Sequence, residues 1–172
     1  MSTDARETLR EFQSRLAEKL KAVETASATS SKLGIVAGGR RWLVELSQVS
    51  EVVTVAETTA IPWTQPWFIG VASVRGAIYG CVDFAAFAGV AEAMPKGETR
   101  LLLVHPRFGV NVALRIEQAL GLRATTELTR EPLDSQIQAW HVGQWRATNG
   151  DIWSEISMEK LVTQPAFLEA GL

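Results

Sequence analysis

The sequence contains little cysteine and histidine. Cys81 is the single cysteine, and the two histidines are His105 and His141. One cysteine cannot form a disulfide within the chain, which favours a cytoplasmic location. Two histidines far apart in sequence, with one cysteine, lack the spacing of a usual zinc site. We therefore expect neither a disulfide framework nor a metal site.

Long apolar runs are missing as well. Residues 1–24 carry alternating charges without an apolar block, so we expect no signal peptide. The apolar stretch at residues 101–104 is far too short to span a bilayer. The sequence therefore predicts a cytoplasmic protein with no direct membrane insertion.

The motifs of several common enzyme classes are absent. The sequence has no G-x-S-x-G nucleophile motif, no G-x-x-x-x-G-K-[ST] phosphate loop and no G-x-G-x-x-G fingerprint. Its net charge of −2, from 17 basic and 19 acidic residues, lacks the basic excess of nucleic-acid-binding proteins. These absences favour an interaction protein without an active site or a cofactor. A small-barrel nucleic-acid-binding protein and an enzyme with a site assembled from distant residues are the alternatives.

The N-terminal residues 1–26 are predicted to form an amphipathic helix. Five apolar residues at steps of three and four share one face: Leu9, Phe12, Leu16, Leu20 and Val23. This face either packs on the chain's own domain or binds a partner or a second copy. Residues 27–31 are a linker of small and polar residues, and residues 32–172 form one domain.

After the linker, the pattern changes to short strands separated by turns, which is typical of β-barrels or sandwiches. Short helices are expected at residues 83–87 and 157–162, and Glu127, Glu131 and Asp134 are expected in a solvated loop. A faint internal repeat relates residues 70–87 to residues 143–161. Four hairpins are predicted, pairing residues 33–37 with 42–46, 68–74 with 77–82, 101–104 with 110–114, and 141–146 with 152–156.

Six tryptophans are many for a chain in which only 8% of residues are aromatic. Trp42, Trp145 and Trp153 alternate as core residues do. Trp63 and Trp67 flank Pro66 in a proline-punctuated loop, where they either pack locally or anchor an interface. Cys81 lies in an apolar run and is expected to be buried rather than reactive.

Residues 70–84 read Gly-Val-Ala-Ser-Val-Arg-Gly-Ala-Ile-Tyr-Gly-Cys-Val-Asp-Phe. This stretch resembles the central signature of CheW-like chemotaxis coupling proteins, roughly G-V-x-x-x-R-G-x-x-x-P-x-x-D-L, with Gly80 in place of the proline. Residues 49–52 and 61–62 match the family's upstream pattern, and the resemblance extends over about residues 32–163. The loop at residues 61–67 and the added helix look most like PilI-type adaptors of chemosensory systems that control type IV pili and twitching motility.

The resemblance implies a mainly β fold of two intertwined five-stranded SH3-like barrels with short helices. It also implies a non-catalytic adaptor that couples the cytoplasmic tip of a methyl-accepting chemoreceptor to the regulatory domain of a CheA-type histidine kinase. Such an adaptor is recruited to membrane receptor arrays and serves either pilus-based twitching or flagellar chemotaxis. The residues expected to bind partners are Val49, Glu51, Val52, Trp63, Trp67, Arg75 and Gly76.

The signature arginine, Arg75, has two interpretations from chemistry alone. Next to a turn glycine its side chain points outward, and its planar guanidinium can bind carboxylates of a partner. It can also pair locally, with Asp83 or with a backbone carbonyl. Asp83 itself is expected to cap the short helix that follows it.

Overall fold

The computed structural model describes residues 11–21, 31–55, 57–91, 99–134 and 137–172. Residues 11–21 form helix α1, and every one of them is exposed. The apolar side chains of Phe12, Leu16 and Leu20 are 61%, 49% and 58% exposed. The rest of the predicted helix and residues 27–30 of the predicted linker lie outside the described residues.

Eleven strands in the described ranges form two mixed sheets, and short helices follow two of the strands. The first sheet contains β1 (Ser31–Ala37), β2 (Arg40–Glu45), β8 (Gln118–Ala124), β9 (Leu128–Glu131), β10 (His141–Ala147) and β11 (Ile152–Ile156). The second contains β3 (Val49–Val55), β4 (Phe68–Val74), β5 (Ala77–Asp83), β6 (Thr99–Val104) and β7 (Val112–Ile116). The short helices are α2 (Phe84–Phe87), α3 (Met158–Val162) and α4 (Pro165–Leu168).

Both sheets are built on the same five-stranded pattern. The first runs β8-β1-β2-β11-β10 and the second β3-β6-β7-β5-β4, each with one parallel pair in the same place. The first sheet adds β9 as a sixth strand beyond β10. The chain leaves the first sheet after β2, builds the whole second sheet and then returns. The predicted fold of two intertwined five-stranded units is thus confirmed.

All four predicted hairpins form, and so do both short helices that were expected to follow hairpins. Asp83 accepts a hydrogen bond from the backbone N–H of Ala86 at 3.1 Å, which confirms its role as a helix cap. Ser157 caps α3 through Lys160 in the same way. The faint internal repeat is therefore one hairpin-and-helix unit used twice.

The predicted loop around Glu127, Glu131 and Asp134 is wrong at Glu131, which ends β9. Its carboxylate accepts hydrogen bonds from Arg146 and Gln144 of β10. β8 was also missed, because the run Gln-Ala-Leu-Gly-Leu-Arg-Ala has no clear alternation. Its strand conformation depends on pairing with β1, and no local pattern reports that pairing.

The main core lies where residues of both sheets and the short helices meet. Trp42, Phe84 and Trp140 pack ring against ring there, with centroids 4.9 to 6.1 Å apart. Trp42 and Trp153 are each 3% exposed, whereas Trp145 is half-buried. A smaller cluster on the second sheet includes Cys81. Burial raises the pKa of that thiol to about 11, so it stays protonated and unreactive.

Gly70 determines where the loop before β4 crosses the second sheet. It has a φ of 124°, and a Cβ there would lie 2.1 Å from the carbonyl oxygen of Thr59. Thr59 pairs with Val71 through two backbone hydrogen bonds of 2.8 Å. The glycine of the signature therefore admits the strand-like segment that leads into the tryptophan loop.

Within the described ranges, no helix is both long and apolar enough to span a membrane.

Candidate partner-binding surface

Arg75 lies at the tip of the β4–β5 hairpin. Arg75 and Gly76 have φ values of 50° and 81°, so both central residues of this two-residue turn have the positive φ of a type I′ turn. The arginine side chain is 76% exposed. A non-glycine residue in this conformation costs roughly 1 kcal/mol, which asparagine or glycine would largely avoid.

Arg75 forms an ion pair with Glu51. Its Nη1 donates to the Glu51 Oε1 at 2.6 Å. Glu51 lies on β3 and Arg75 follows β4, and these are the two edge strands of the second sheet. The ion pair therefore bridges the two edges and closes the sheet toward a barrel.

Local pairing of Arg75 with Asp83, one of the two interpretations from the sequence, is wrong, because Arg75 pairs with Glu51. The Asp83 carboxylate instead lies 4.0 Å from Arg115, and both side chains are buried. Asp83 is thus held inside the molecule by Arg115 and by its capping bond to Ala86. Arg75 therefore stays at the surface, where it pairs with Glu51 of another strand.

Val49 and Val52, which the sequence also places in the site, face the core. Val49 is 8% exposed and pairs with Val104, and Val52 packs half-buried against the main core. The register of β3 shifts between Val49 and Glu51, which is the pattern of a β-bulge. Such a bulge re-aims the following side chain, and Glu51 reaches Arg75.

The tryptophan loop presents one ring to solvent and packs the other. Trp63 is 82% exposed and has a φ of 61°, which is unusual for a bulky side chain. Trp67 stacks on Phe167 at 6.2 Å between centroids and meets Phe87 edge-on at 5.1 Å. The loop at residues 61–67 thus exposes Trp63, and the packing of Trp67 on Phe167 holds the loop against α4.

The last residues described, 169–172, hold this loop, a contact that sequence reasoning missed. The Leu172 N–H donates to the Trp63 carbonyl at 2.9 Å, and the Gln65 N–H donates to the Ala170 carbonyl at 2.7 Å. Leu172 is 80% exposed, and the first of these hydrogen bonds places its backbone next to that of Trp63. An exposed apolar surface therefore forms from two segments about a hundred residues apart.

Ile78 is a second exposed apolar residue that sequence reasoning missed. It is 57% exposed and lies opposite Ser73 in the arginine hairpin. The run from Ala77 to Val82 is apolar throughout except for Gly80 and Tyr79, so no alternation separates its outward residue from its buried ones. We use the name arginine-turn surface for Glu51, Arg75, Gly76 and Ile78.

The two histidines have packing and turn roles. His105 accepts a hydrogen bond from the Arg107 N–H at 3.2 Å at the start of a 3-10 turn. His141 packs near the rings of Trp42 and Trp140, and burial lowers its pKa. In the part of the chain that the structure describes, no group of three His, Cys, Asp or Glu side chains is placed to hold a metal.

Comparison with known proteins gives three consistent results. Residues 32–166 match the model of the CheW-like domain family. Protein PilI of Pseudomonas aeruginosa is 27% identical over 162 residues, which cover 92% of this chain and 89% of PilI. The crystal structure of the scaffolding protein TtCheW from Thermoanaerobacter tengcongensis has a TM-score of 0.65 at 17% identity, covering 80% of this chain and 94% of TtCheW. The family match spans most of the chain and agrees with the fold, and the chain therefore belongs to the CheW-like domain family.

Proposed function

We propose that this chain is a non-catalytic adaptor that couples a methyl-accepting chemoreceptor to a CheA-type histidine kinase in the cytoplasm. The observation that carries the proposal is the exposed Arg75 on its strained turn, at the position of the family's signature arginine. The adaptor would bind the regulatory domain of the kinase and the cytoplasmic tip of the receptor. Recruitment to receptor arrays at the membrane would follow from these contacts.

Folding stability gives little reason for an arginine at position 75. An exposed ion pair such as Arg75–Glu51 contributes about 0.2 to 1 kcal/mol, which roughly offsets the strain of the turn. Asparagine would fit the turn better. A partner that gains from the guanidinium is a better reason, since its planar donors also reach carboxylates outside the chain.

Trp63 supplies an apolar anchor of the kind that dominates protein interfaces. Its strained backbone and exposed ring fit a residue held in place for a partner. Trp67 stays a proposed contact that would act by fixing the loop through Phe167. Val49 and Val52 would contribute indirectly, because their packing against the core holds the strand that carries Glu51.

A system that controls type IV pili is the proposed context, because the relative with 27% identity is PilI. A flagellar chemotaxis system is the alternative. Deleting the gene should abolish twitching while leaving swimming intact if the pilus assignment holds. Loss of swimming with normal twitching would favour the flagellar system.

The test of the adaptor role is calorimetry of the purified chain with the kinase regulatory domain and with the receptor tip from the same cell. We expect micromolar binding, and we expect Arg75→Ala to weaken one of the two interactions at least tenfold. The unfolding free energy should fall by less than about 1 kcal/mol, because the ion pair is exposed. Arg107→Ala, another exposed arginine in a turn, is the matched control and should leave binding unchanged.

A charge exchange separates direct contact from support of the barrel. If Arg75 touches the partner, the double variant Arg75→Glu, Glu51→Arg keeps the ion pair and still fails to bind. Recovery of binding in the double variant would instead assign the effect to closure of the sheet. Unchanged affinity of Arg75→Ala for both partners would remove Arg75 from the interface.

A further inference from the structure

A cavity of about 290 Å³ lies at the first sheet, whereas the arginine-turn surface belongs to the second. β8 contributes Arg123 to its lining, β11 contributes Trp153, and the β10–β11 turn contributes Asn149 and Asp151. Arg41 of β2 and Glu127 are the other charged residues of the lining. Pockets that bind small ligands begin at about this volume, which is several times that of a water molecule.

Two buried N–H donors in this lining have no acceptor among the described residues. The indole Nε1 of Trp153 and the Nε of Arg123 are both buried, and neither has a hydrogen-bond partner among the residues that the structure describes. Trp153 is 3% exposed. A buried donor without a partner is destabilising, so an acceptor at this place would be favourable.

The packing of Trp153 fixes which edge of its ring faces away from β1. Its Cζ3 and Cη2 atoms lie against Gly34, at 2.9 and 3.2 Å from the position of a Cβ there. The edge that carries Nε1 is on the other side of the indole. Gly34 thus provides the space for the ring. The indole N–H does not contact Gly34 and can donate a hydrogen bond to another group.

Arg123 is a half-buried cation without an ion pair in the described ranges, and its guanidinium lies 5.3 Å from the centre of the Trp153 ring. Other charged groups in this sheet do have partners. Lys32 donates to Glu155 at 2.6 Å, and Arg41 lies 3.5 Å from Asp151. The guanidinium of Arg123 therefore has donors available for an anion.

We propose that this cavity binds one carboxylate group, whose oxygens accept hydrogen bonds from Trp153 and Arg123. Glu127 and Asp151 in the same lining repel an anion of higher charge, so a single carboxylate is favoured over a phosphate. Planar, bidentate pairing with a guanidinium is the geometry that carboxylates adopt with arginine. The carboxylate belongs either to a small free acid or to an Asp or Glu side chain of a bound protein.

The site is independent of the adaptor function proposed above. Arg123 and Trp153 belong to the first sheet, whereas Arg75 and Glu51 belong to the second. Loss of one site therefore does not imply loss of the other. The experiment below uses neither the kinase nor the receptor.

The test is an NMR titration that follows the indole N–H signals of the ¹⁵N-labelled chain at pH 7. Sodium acetate is added, with sodium chloride at matched ionic strength as the control. We expect the Trp153 signal, assigned with Trp153→Phe, to shift saturably with acetate, while the exposed Trp63 signal stays in place. Arg123→Gln should weaken the response at least tenfold, with the remaining spectrum unchanged as evidence of folding.

A second titration identifies the source of the carboxylate. Glutamate with both its amino and its α-carboxyl group blocked carries only a side-chain carboxylate. Binding at least tenfold tighter than acetate would assign the site to a protein side chain, and tighter binding of acetate would assign it to a free acid. No movement of Trp153 up to on the order of 100 mM of either, or an equal shift with chloride, would overturn the proposal and leave the cavity to water.

Discussion

At the scale of single residues, Gly70 has the most demanding environment in the signature stretch. Both its positive φ and the closeness of the Thr59 carbonyl exclude a side chain. Two separate effects therefore act at one position: backbone strain and a steric overlap with backbone that cannot rotate away. Position 70 of this chain needs glycine because the crossing loop approaches this closely.

We predict that Gly70→Ala lowers the free energy of unfolding by at least about 2 kcal/mol, because strain and overlap add. Gly109→Ala is the matched control. Gly109 also has a positive φ, 72°, but nothing lies within 4 Å of its Cβ position, so about 1 kcal/mol is expected. Urea denaturation of both variants measures the difference. Equal losses of unfolding free energy would show that the segment around Thr59 moves aside to accommodate the methyl group.

His141 makes stability depend on pH. Burial lowers its pKa below the usual 6.5, so between these two values the unfolded chain binds more protons than the folded chain. The free energy of unfolding contributed by this group is therefore full above pH 6.5 and falls as the pH decreases through that window. His141→Phe, which keeps a ring beside Trp42 and Trp140, should lose less stability between pH 7 and pH 5.

Denaturant titrations at both pH values check this prediction. An identical pH dependence in the native chain and in His141→Phe would show that other groups cause the loss. NMR titration of the His141 ring gives the pKa directly and would have to place it below 6.5.

The sequence predicts the roles of residues that depend on near neighbours, but not of those that depend on contacts between strands. The roles of Asp83 as a cap and Arg75 as an outward turn residue follow from neighbours within three positions, which a sequence displays. Trp153 was predicted to be buried, but its unpartnered N–H depends on Gly34, Arg123 and a cavity between strands. Such a combination exists only after the sheet has formed.

At the scale of elements, α1 has an apolar stripe that the described chain does not cover. Phe12, Leu16 and Leu20 are all about half exposed or more. Two interpretations of this helix stay open, and the exposure of residues 11–21 gives no support to packing of the stripe on the chain's own domain. The binding of a partner or of a second copy stays a prediction.

We predict that Leu16→Glu leaves thermal stability nearly unchanged, within about 0.5 kcal/mol, because the side chain is already exposed. Leu161→Glu is the buried counterpart on α3 and should unfold the domain, since Leu161 is 0% exposed. Circular dichroism melts compare the two. A large loss from Leu16→Glu would show that α1 packs on the folded domain in solution.

The hairpins were predictable because each is local, with a turn signal between two apolar runs. β8 and β9 were not, since β8 pairs with β1 across more than eighty residues and β9 is only four residues long. The contact of residues 169–172 with the tryptophan loop is similarly non-local. An element without a hairpin partner next to it in sequence lacks the turn signal that marks the other strands.

At the scale of the whole molecule, both sheets share one main core. Val82, Leu102 and Leu114 of the second sheet belong to the same cluster as Ile35 and Val44 of the first. The sheets cannot separate without exposing this cluster to water. The molecule should therefore behave as one cooperative unit.

We predict a single unfolding transition, with coincident midpoints for far-ultraviolet circular dichroism and tryptophan fluorescence. Val44→Ala in the first sheet should move both midpoints together by a loss of about 1 to 3 kcal/mol. Ile78→Ala, on the exposed face of the second sheet, serves as the comparison and should move neither by much. Two resolved transitions would show that the sheets fold independently.

The interleaved path of the chain also has a consequence for its synthesis on the ribosome. Residues 49–116 contain every strand of the second sheet, so that sheet can form while the polypeptide is still growing. The β1–β2 hairpin emerges earlier but receives its two neighbours much later: β8 begins about 70 residues and β11 about 110 residues after the end of β2. For that interval both of its edges are open to other chains, and nascent molecules stalled before β11 should be the ones that aggregate or recruit chaperones.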